Sequence, residues 1–400
     1  MAENIISTLD RVRRAKKMKL MIIGLGQCGN RIADEFENLG NKAKRERGAK
    51  VITDAFAIDT DAPAMRGLQF IKSDQDHRIV IGEAKTKSHG TGGLAELGAQ
   101  IFKEDGYKIV DVLRNIKRFA ETDGFLLVAG AAGGTGAGGI PVLARIIKER
   151  YVDKPVYSVI VLPFEHEEAI DEKIILNTAV CLKSIHSVSD AVFLIDNQRY
   201  AAKGYSLASN IAKTNRLIAE PFFSLLCAGE ETKRKRIGVH ILDAGGILQS
   251  LSGWTVIGYG GMSLRLITLP WDEVENKGNQ VMEIALSELS LSCDTKSATK
   301  ALYMVSAPAE EMNIDLVKYL GERIHGLAPD ATIRYGDYPF NKGLIDLTLI
   351  FSGLKNVEKV TNYYMKSVNV AESIKKKQDM AESMPSTTEE AAKNVPPLSK

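Results

Sequence analysis

The sequence predicts an α/β fold: a Rossmann-like parallel sheet, a long central helix, and a second, smaller α/β domain. Three observations predict it. Glycine-rich loops recur at residues 24–29, 90–93 and 130–139, each after an apolar strand and each leading into a helical pattern. A helical pattern runs from about 207 to 226. Beyond it, residues 301–306, 314–327, 332–335 and 344–351 read as strand, helix, strand, strand.

Taken in order, residues 1–18 form an amphipathic helical extension, with Ile5, Ile6, Leu9 and Val12 on one side and Arg11, Arg13, Arg14, Lys16 and Lys17 making it basic. We read it as a solvated extension packed on the domain. Residues 19–23 form the first strand, followed by Gly24, Gly26 and Gly29 and a helix from Asn30 to about Leu39. Phe56, Ala57 and Ile58 belong to a second strand ending in Asp59, Thr60 and Asp61. A short strand at 78–82 precedes the loop Gly90, Thr91, Gly92, Gly93. The run 125–128 is a buried strand, and Pro141 opens the helix after the third glycine loop. Strands at 155–163 and 191–195 are followed by Glu167 and by Asp196 and Asn197. The central helix carries Asn215, and Pro221 should kink it or shift its boundary. A charged loop at 229–236 leads into Asp243 and Gly246, then a strand at 253–260 and a helix over 273–293. From 368 the chain turns polar and reads as a disordered tail suited to binding partner proteins. The expected divisions are 1–18, 19–206, 207–228 (central helix), 229–367 and 368–400.

Bulk properties narrow the function. The chain has 400 residues, 44% of them hydrophobic and 26% charged, as in a globular protein with real cores. A net charge of +2 argues against a dedicated nucleic-acid binder. No apolar run reaches the roughly 20 residues needed to span a bilayer, and the N-terminus lacks an apolar signal region. Cys28, Cys181, Cys227 and Cys293 show no metal spacing, so buried free thiols and a cytoplasmic location are expected.

Strand, glycine loop and helix start form a phosphate cradle. Glycine lets backbone N–H groups crowd around phosphate oxygens, and the helix dipole favours the charge. The Gly-x-x-x-x-Gly-Lys-Ser/Thr pattern is absent. Gly24, Gly26 and Gly29 fit Gly-x-Gly-x-x-Gly, which raises a rival: an NAD-dependent oxidoreductase. That reading wants an acid about 20 residues on. Asp59 lies further along, and a dinucleotide site has no use for the loop at 130–139. Three cradles at the carboxyl ends of adjacent parallel strands are more specific than any one of them.

The residues themselves resemble the tubulin/FtsZ superfamily. Ala132, Gly133, Gly134, Thr135, Gly136, Ala137 and Gly138 resemble its signature loop, GGGTGTG or GGGTGSG. GQCGNRI at 26–32 is similar to tubulin's GQCGNQI, and the segment around Asp59 to FtsZ's AINTDAQAL, with Asp59 in place of Asn. Residues 82–98, 155–163 and 215–230 are most similar to the archaeal CetZ family, and the motif order matches over 19–365. The resemblance implies GTP/GDP and Mg²⁺ as ligands. It places Gly26, Gln27, Cys28, Asn30, Thr60, Asp61, Gly90, Thr91, Gly92, Gly93, Gly133, Gly134, Thr135, Gly136, Ala137 and Gly138 around the phosphates. Glu167 falls on the ribose, and Asn197 and Asn215 on guanine, whose donor and acceptor edges an amide can pair. Asp59 or Asp61 would place hydrated Mg²⁺; for these two aspartates, solvated cap positions of a turn are an equal reading. The resemblance further implies a head-to-tail homopolymer with roles in cell shape and motility. In it Asp243 would act on the neighbouring subunit's nucleotide. CetZ proteins have Asp-x-x-Glu there, and Gly246 replaces the second acid. The alternative is therefore a GTP-binding structural or regulatory filament protein with little hydrolysis.

Overall fold

The computed structural model describes residues 18–200, 207–227, 240, 242, 244–264, 274–339 and 343–383. The expected N-terminal helix, the charged loop at 229–236 and Asp243 lie outside these residues. Strands are β1 Leu20–Leu25, β2 Ile52–Asp59, β3 Arg78–Val80, β4 Gly124–Gly130, β5 Val156–Leu162, β6 Ala191–Asp196, β7 Gly253–Ser263, β8 Lys300–Ala307, β9 Thr332–Pro339 and β10 Leu344–Leu354. The longer helices are α1 Gly26–Arg47, α2 Ala95–Arg114, α3 Thr135–Arg150, α4 Glu165–Ile170, α5 Glu172–His186, α6 Leu207–Cys227, α7 Ala244–Ser250, α8 Val274–Ser287, α9 Ile314–Leu327 and α10 Glu358–Ser383.

All ten strands form one sheet, ordered β3-β2-β1-β4-β5-β6-β7-β10-β8-β9. Pairing is parallel from β3 to β7, antiparallel at β7–β10 and β10–β8, and parallel again at β8–β9. The smaller α/β module therefore extends the first sheet instead of making its own. The join is short: Ala191, Val192 and Phe193 of β6 pair with Gly253, Trp254 and Thr255 of β7.

A parallel sheet must be covered on both faces, so its central strands are largely apolar. β1 is buried along its whole length. Met21, Ile23 and Leu25 point into one core with residues of α2 and α3, while Leu20 and Ile22 point into the other with α1 and α6. α6 packs in the second core against Ile257, Leu302 and Ile350 as well, so the central helix lies under both halves of the sheet.

Three boundaries differ from the sequence reading. α1 begins at Gly26 and ends where Gly48 adopts a left-handed cap. α3 begins at Thr135, so Pro141 sits inside the helix and not at its start. The glycines there serve close packing, which outweighs their low helix propensity. Residues 368–383, expected as disordered tail, continue α10. α6 runs through Pro221 without a break.

The β2–β3 connection is tightly held. Arg78 donates to the carbonyls of Met65, Leu68 and Ile71, and Asp34 accepts from the amides of Gln69, Phe70 and Ile71. Nearby, burial pushes the Glu37 carboxyl up to about 7, with the Asp54 charge adding to it. The folded chain thus holds this proton more tightly than the unfolded chain, where the carboxyl ionises near its ordinary value. Stability falls as pH rises from about 4.5 to 7 and then levels. Gln keeps the Asn41 amide contact to this side chain (3.1 Å) and does not titrate. Glu37→Gln is expected to match wild type at pH 4 and to be more stable by about 2 kcal/mol at pH 8. Urea midpoints at the two pH values check this; a pH-independent difference would contradict it.

Candidate nucleotide site

The order of strands reverses between β1 and β4, since β2 and β3 lie on one side and β5 and β6 on the other. Ligands of open α/β sheets bind at the carboxyl ends of such strands. Here a cleft of about 410 Å³ opens at that edge, lined by Gly26, Gln27, Cys28, Gly93, Gly133, Gly136, Glu167 and Asn197 among others. Each comes from a segment the sequence marked, and together they span the three glycine loops and the turns after β5 and β6.

Two helix N-termini converge on it. α1 starts directly after β1, and α3 directly after residues 131–134; neither has a side-chain cap. The first N–H groups of each helix have no intrahelical acceptor and favour an anion. Gly26 makes the approach possible: its φ is +69°, and a Cβ there would lie 3.0 Å from the amide nitrogen of Gly136. Lys173 is the one cationic side chain among the described lining residues. Charge recognition therefore falls mainly on backbone amides.

The remaining marked residues build the frame. Thr60 Oγ1 lies 2.6 Å from Thr135 Oγ1, tying the end of β2 to the start of α3. The Thr60 carbonyl accepts from the Gly90 amide at 3.1 Å. Thr91 is buried and covers Gly134, where a Cβ would collide with its hydroxyl. Ala137 and Gly138 are buried within α3. Asn30 is buried and makes three hydrogen bonds to the end of β2.

Asp59 is one of those partners. Its Oδ2 accepts from Asn30 Nδ2 (2.9 Å), and Oδ1 accepts from the amides of Thr60 (2.8 Å) and Asp61 (3.2 Å). Burial pushes its carboxyl up to about 6. A carboxylate so engaged, and 2% exposed, is not free to hold a ribose. This removes the acid that the NAD reading required. Asp61 is half-buried and pairs as an isolated bridge with His89 beside Gly90. Glu167 lines the cleft while its Oε2 accepts from the Phe164 amide at 2.9 Å, fixing the first turn of α4.

Asn215 is not in this cleft. It lines a second hollow of about 400 Å³ with Arg31, Asp34, Glu35 and residues 67–70. The hollow lies between α1 and α6, one turn along α1 from Gln27 and Cys28. Residues 201–206, which lead into α6, lie outside the described residues.

Sequence reasoning missed Asn177. On α5, its Nδ2 donates to the carbonyls of Gly93 (2.8 Å) and Ala132 (2.9 Å), locking two glycine loops together. A lone asparagine on an amphipathic helix carries no motif, and its partners are 84 and 45 residues away. Asn177→Ala is expected to lower stability by about 1–2 kcal/mol and to weaken phosphate binding by loosening both loops. Urea unfolding and titration with a diphosphate nucleotide measure the two effects.

Comparison with known proteins agrees with this geometry. Residues 19–203 match the family model "Tubulin/FtsZ family, GTPase domain", and residues 204–369 match "Tubulin-like CetZ, C-terminal domain". The chain is 30% identical to tubulin-like protein CetZ1 of Haloferax volcanii over 89% of its own length and 93% of that protein's. Tubulin-like protein CetZ of Thermococcus kodakarensis is 28% identical over 91% of this chain and 90% of its own. The structure of CetZ1 from Haloferax volcanii as a GDP-bound monomer superimposes with a TM-score of 0.76 at 28% identity, covering 88% of this chain and all of that one. CetZ2 from the same organism, a GTPγS-bound protofilament, does so with a TM-score of 0.76 at 26% identity, covering 90% and 100%. Sheet, cradle and both halves of the sequence agree: this chain belongs to the CetZ family of tubulin-like proteins.

Proposed function

We propose that this protein is a cytoskeletal GTP-binding protein that assembles head to tail into filaments and hydrolyses GTP at the subunit interface. The observation that carries it is the cleft at the carboxyl edge. Two uncapped helix N-termini and the Gly93 loop lie in it and would provide the phosphate end, and Glu167 and Asn197 also line it and would provide the ribose and base end. Membership of a family whose relatives include a GDP-bound monomer and a GTPγS-bound protofilament supports the reading.

The backbone amides would stabilise charge on the phosphates through the reaction. A bound Mg²⁺ would neutralise phosphate charge. Asp61 fits as its carboxylate through water, because both Asp59 oxygens are already engaged and Mg²⁺ needs few protein ligands beside phosphate. Cell shape or motility is the process proposed. The protein would work in the cytoplasm, and no helix among the described residues is long and apolar enough to cross a membrane. The C-terminal tail would bind partner proteins.

The decisive experiment extracts nucleotide from purified protein and identifies it by chromatography. GDP or GTP is expected; NADH would overturn the reading. GTP turnover per molecule should rise with protein concentration, since the site is completed by a neighbour. A second reading, filaments with little hydrolysis, is favoured by Gly246. It sits buried in the first turn of α7, its carbonyl accepting from Ser250 Oγ at 2.7 Å, at the position where the resemblance implies a second acid. Under that reading GTP stays intact for hours while filaments are visible by electron microscopy.

A further inference from the structure

Two acids stand one residue from the ribose and base end of the cleft, and both are held by α10. Asp196 ends β6, immediately before Asn197. Its Oδ1 accepts from the Gln198 amide (3.1 Å), shaping the turn that carries Asn197, and its Oδ2 accepts from Lys359 Nζ at 2.6 Å. Glu168 follows Glu167. Its carboxylate accepts from the Tyr363 hydroxyl and from Lys366 Nζ, the latter at 2.8 Å. Both acid side chains are nearly enclosed, 11% exposed for Asp196 and 8% for Glu168. Tyr363 is buried in the core against α5, and burial, together with the Glu168 carboxylate, keeps its hydroxyl protonated far above the usual range.

α10 follows the last strand of the second module. Three of its side chains thus reach across to the two turns that close the sugar and base end of the cleft. The phosphate end, built from α1, α3 and the Gly93 loop, receives none of these contacts. A buried carboxylate that loses its cation must find new solvation, and its turn shifts to provide it.

We propose that Lys359, Tyr363 and Lys366 of α10 are positioning residues for the nucleoside half of the ligand. They act through Asp196 on Asn197 and through Glu168 on Glu167. The proposal rests on the guanine-nucleotide reading above. It makes α10 the element through which the C-terminal module sets nucleotide affinity and base selectivity.

The test compares wild type, Lys359→Met, Lys359→Arg and Lys148→Met by titration with GDP and with IDP, which lacks the exocyclic amino group. Lys148 pairs with Asp190 at 2.9 Å near the opposite end of β6, so its loss removes a more exposed ion pair away from the cleft. Lys359→Met should weaken GDP about tenfold and narrow the gap between GDP and IDP. Lys359→Arg should restore both, and Lys148→Met should change neither. Unchanged GDP binding in folded Lys359→Met would overturn the clamp, as would an equal loss for GDP and IDP in both lysine-to-methionine variants. A wild-type chain that binds neither nucleotide would overturn the functional reading and the clamp with it.

Discussion

Gly138→Ala is expected to destabilise the protein by about 3 kcal/mol or more and to leave it without bound nucleotide. A Cβ at Gly138 would lie 1.9 Å from the Ala95 carbonyl oxygen and 2.7 Å from the Ala99 amide nitrogen. Both are backbone atoms of α2, so no rotamer change relieves the clash; α2 and α3 must separate. Separation moves the N-terminus of α3 away from that of α1 and opens the phosphate cradle. Gly133→Ala provides the contrast. That residue lines the cleft and has no atom within 4 Å of its added Cβ, so the fold should stand while the methyl occupies ligand space. Urea midpoints and nucleotide content of the two purified variants decide the matter. Equal destabilisation would show that the glycines are not divided between packing and binding.

Asp243→Ala is expected to lower GTP turnover about a hundredfold or more while GDP still co-purifies and filaments still form. Water activation and phosphate holding are separate tasks in the proposed arrangement. The cradle belongs to one subunit, and Asp243 would serve the nucleotide of the next. With Gly246 in place of a second acid, Asp243 has no obvious substitute. Mixing the variant with wild type should poison turnover in proportion to the fraction of mixed contacts. If Asp243→Ala turns over GTP as wild type does, the hydrolysis mechanism fails and the structural-filament reading takes its place.

Much of the fold was legible because a parallel sheet writes itself in local terms. β1, β4, β5 and β6 are short apolar runs that stop at glycine or at a polar turn, and helices follow at once. The second module was legible through the local patterns of β8, α9, β9 and β10, although β10 pairs antiparallel with both its neighbours. Less visible was that β7 joins the two modules into one sheet. Three residue pairs make that join, and no local pattern announces it. The polar composition after 368 predicts disorder, yet α10 continues to Ser383. The helix is anchored at its start, where its own Val360 and Tyr363 are buried in the core of the folded domain, and it continues outward through 368–376, none of which is buried.

By itself, the sequence determined where the candidate phosphate loops are, since glycine between strand and helix is a backbone property readable from neighbours in the chain. Only the tertiary structure decided what each glycine and each acid does. Gly26 and Gly133 face the cleft, whereas Gly134 and Gly138 let another segment's backbone come close. Asp59 holds Asn30 and two backbone amides, which is why the proposed Mg²⁺ is given to Asp61. Asn177 and Lys359 bind partners 45 to 163 residues away. Conformation is set locally, but a side chain's role depends on which distant atoms arrive within about 3 Å, the reach of a hydrogen bond.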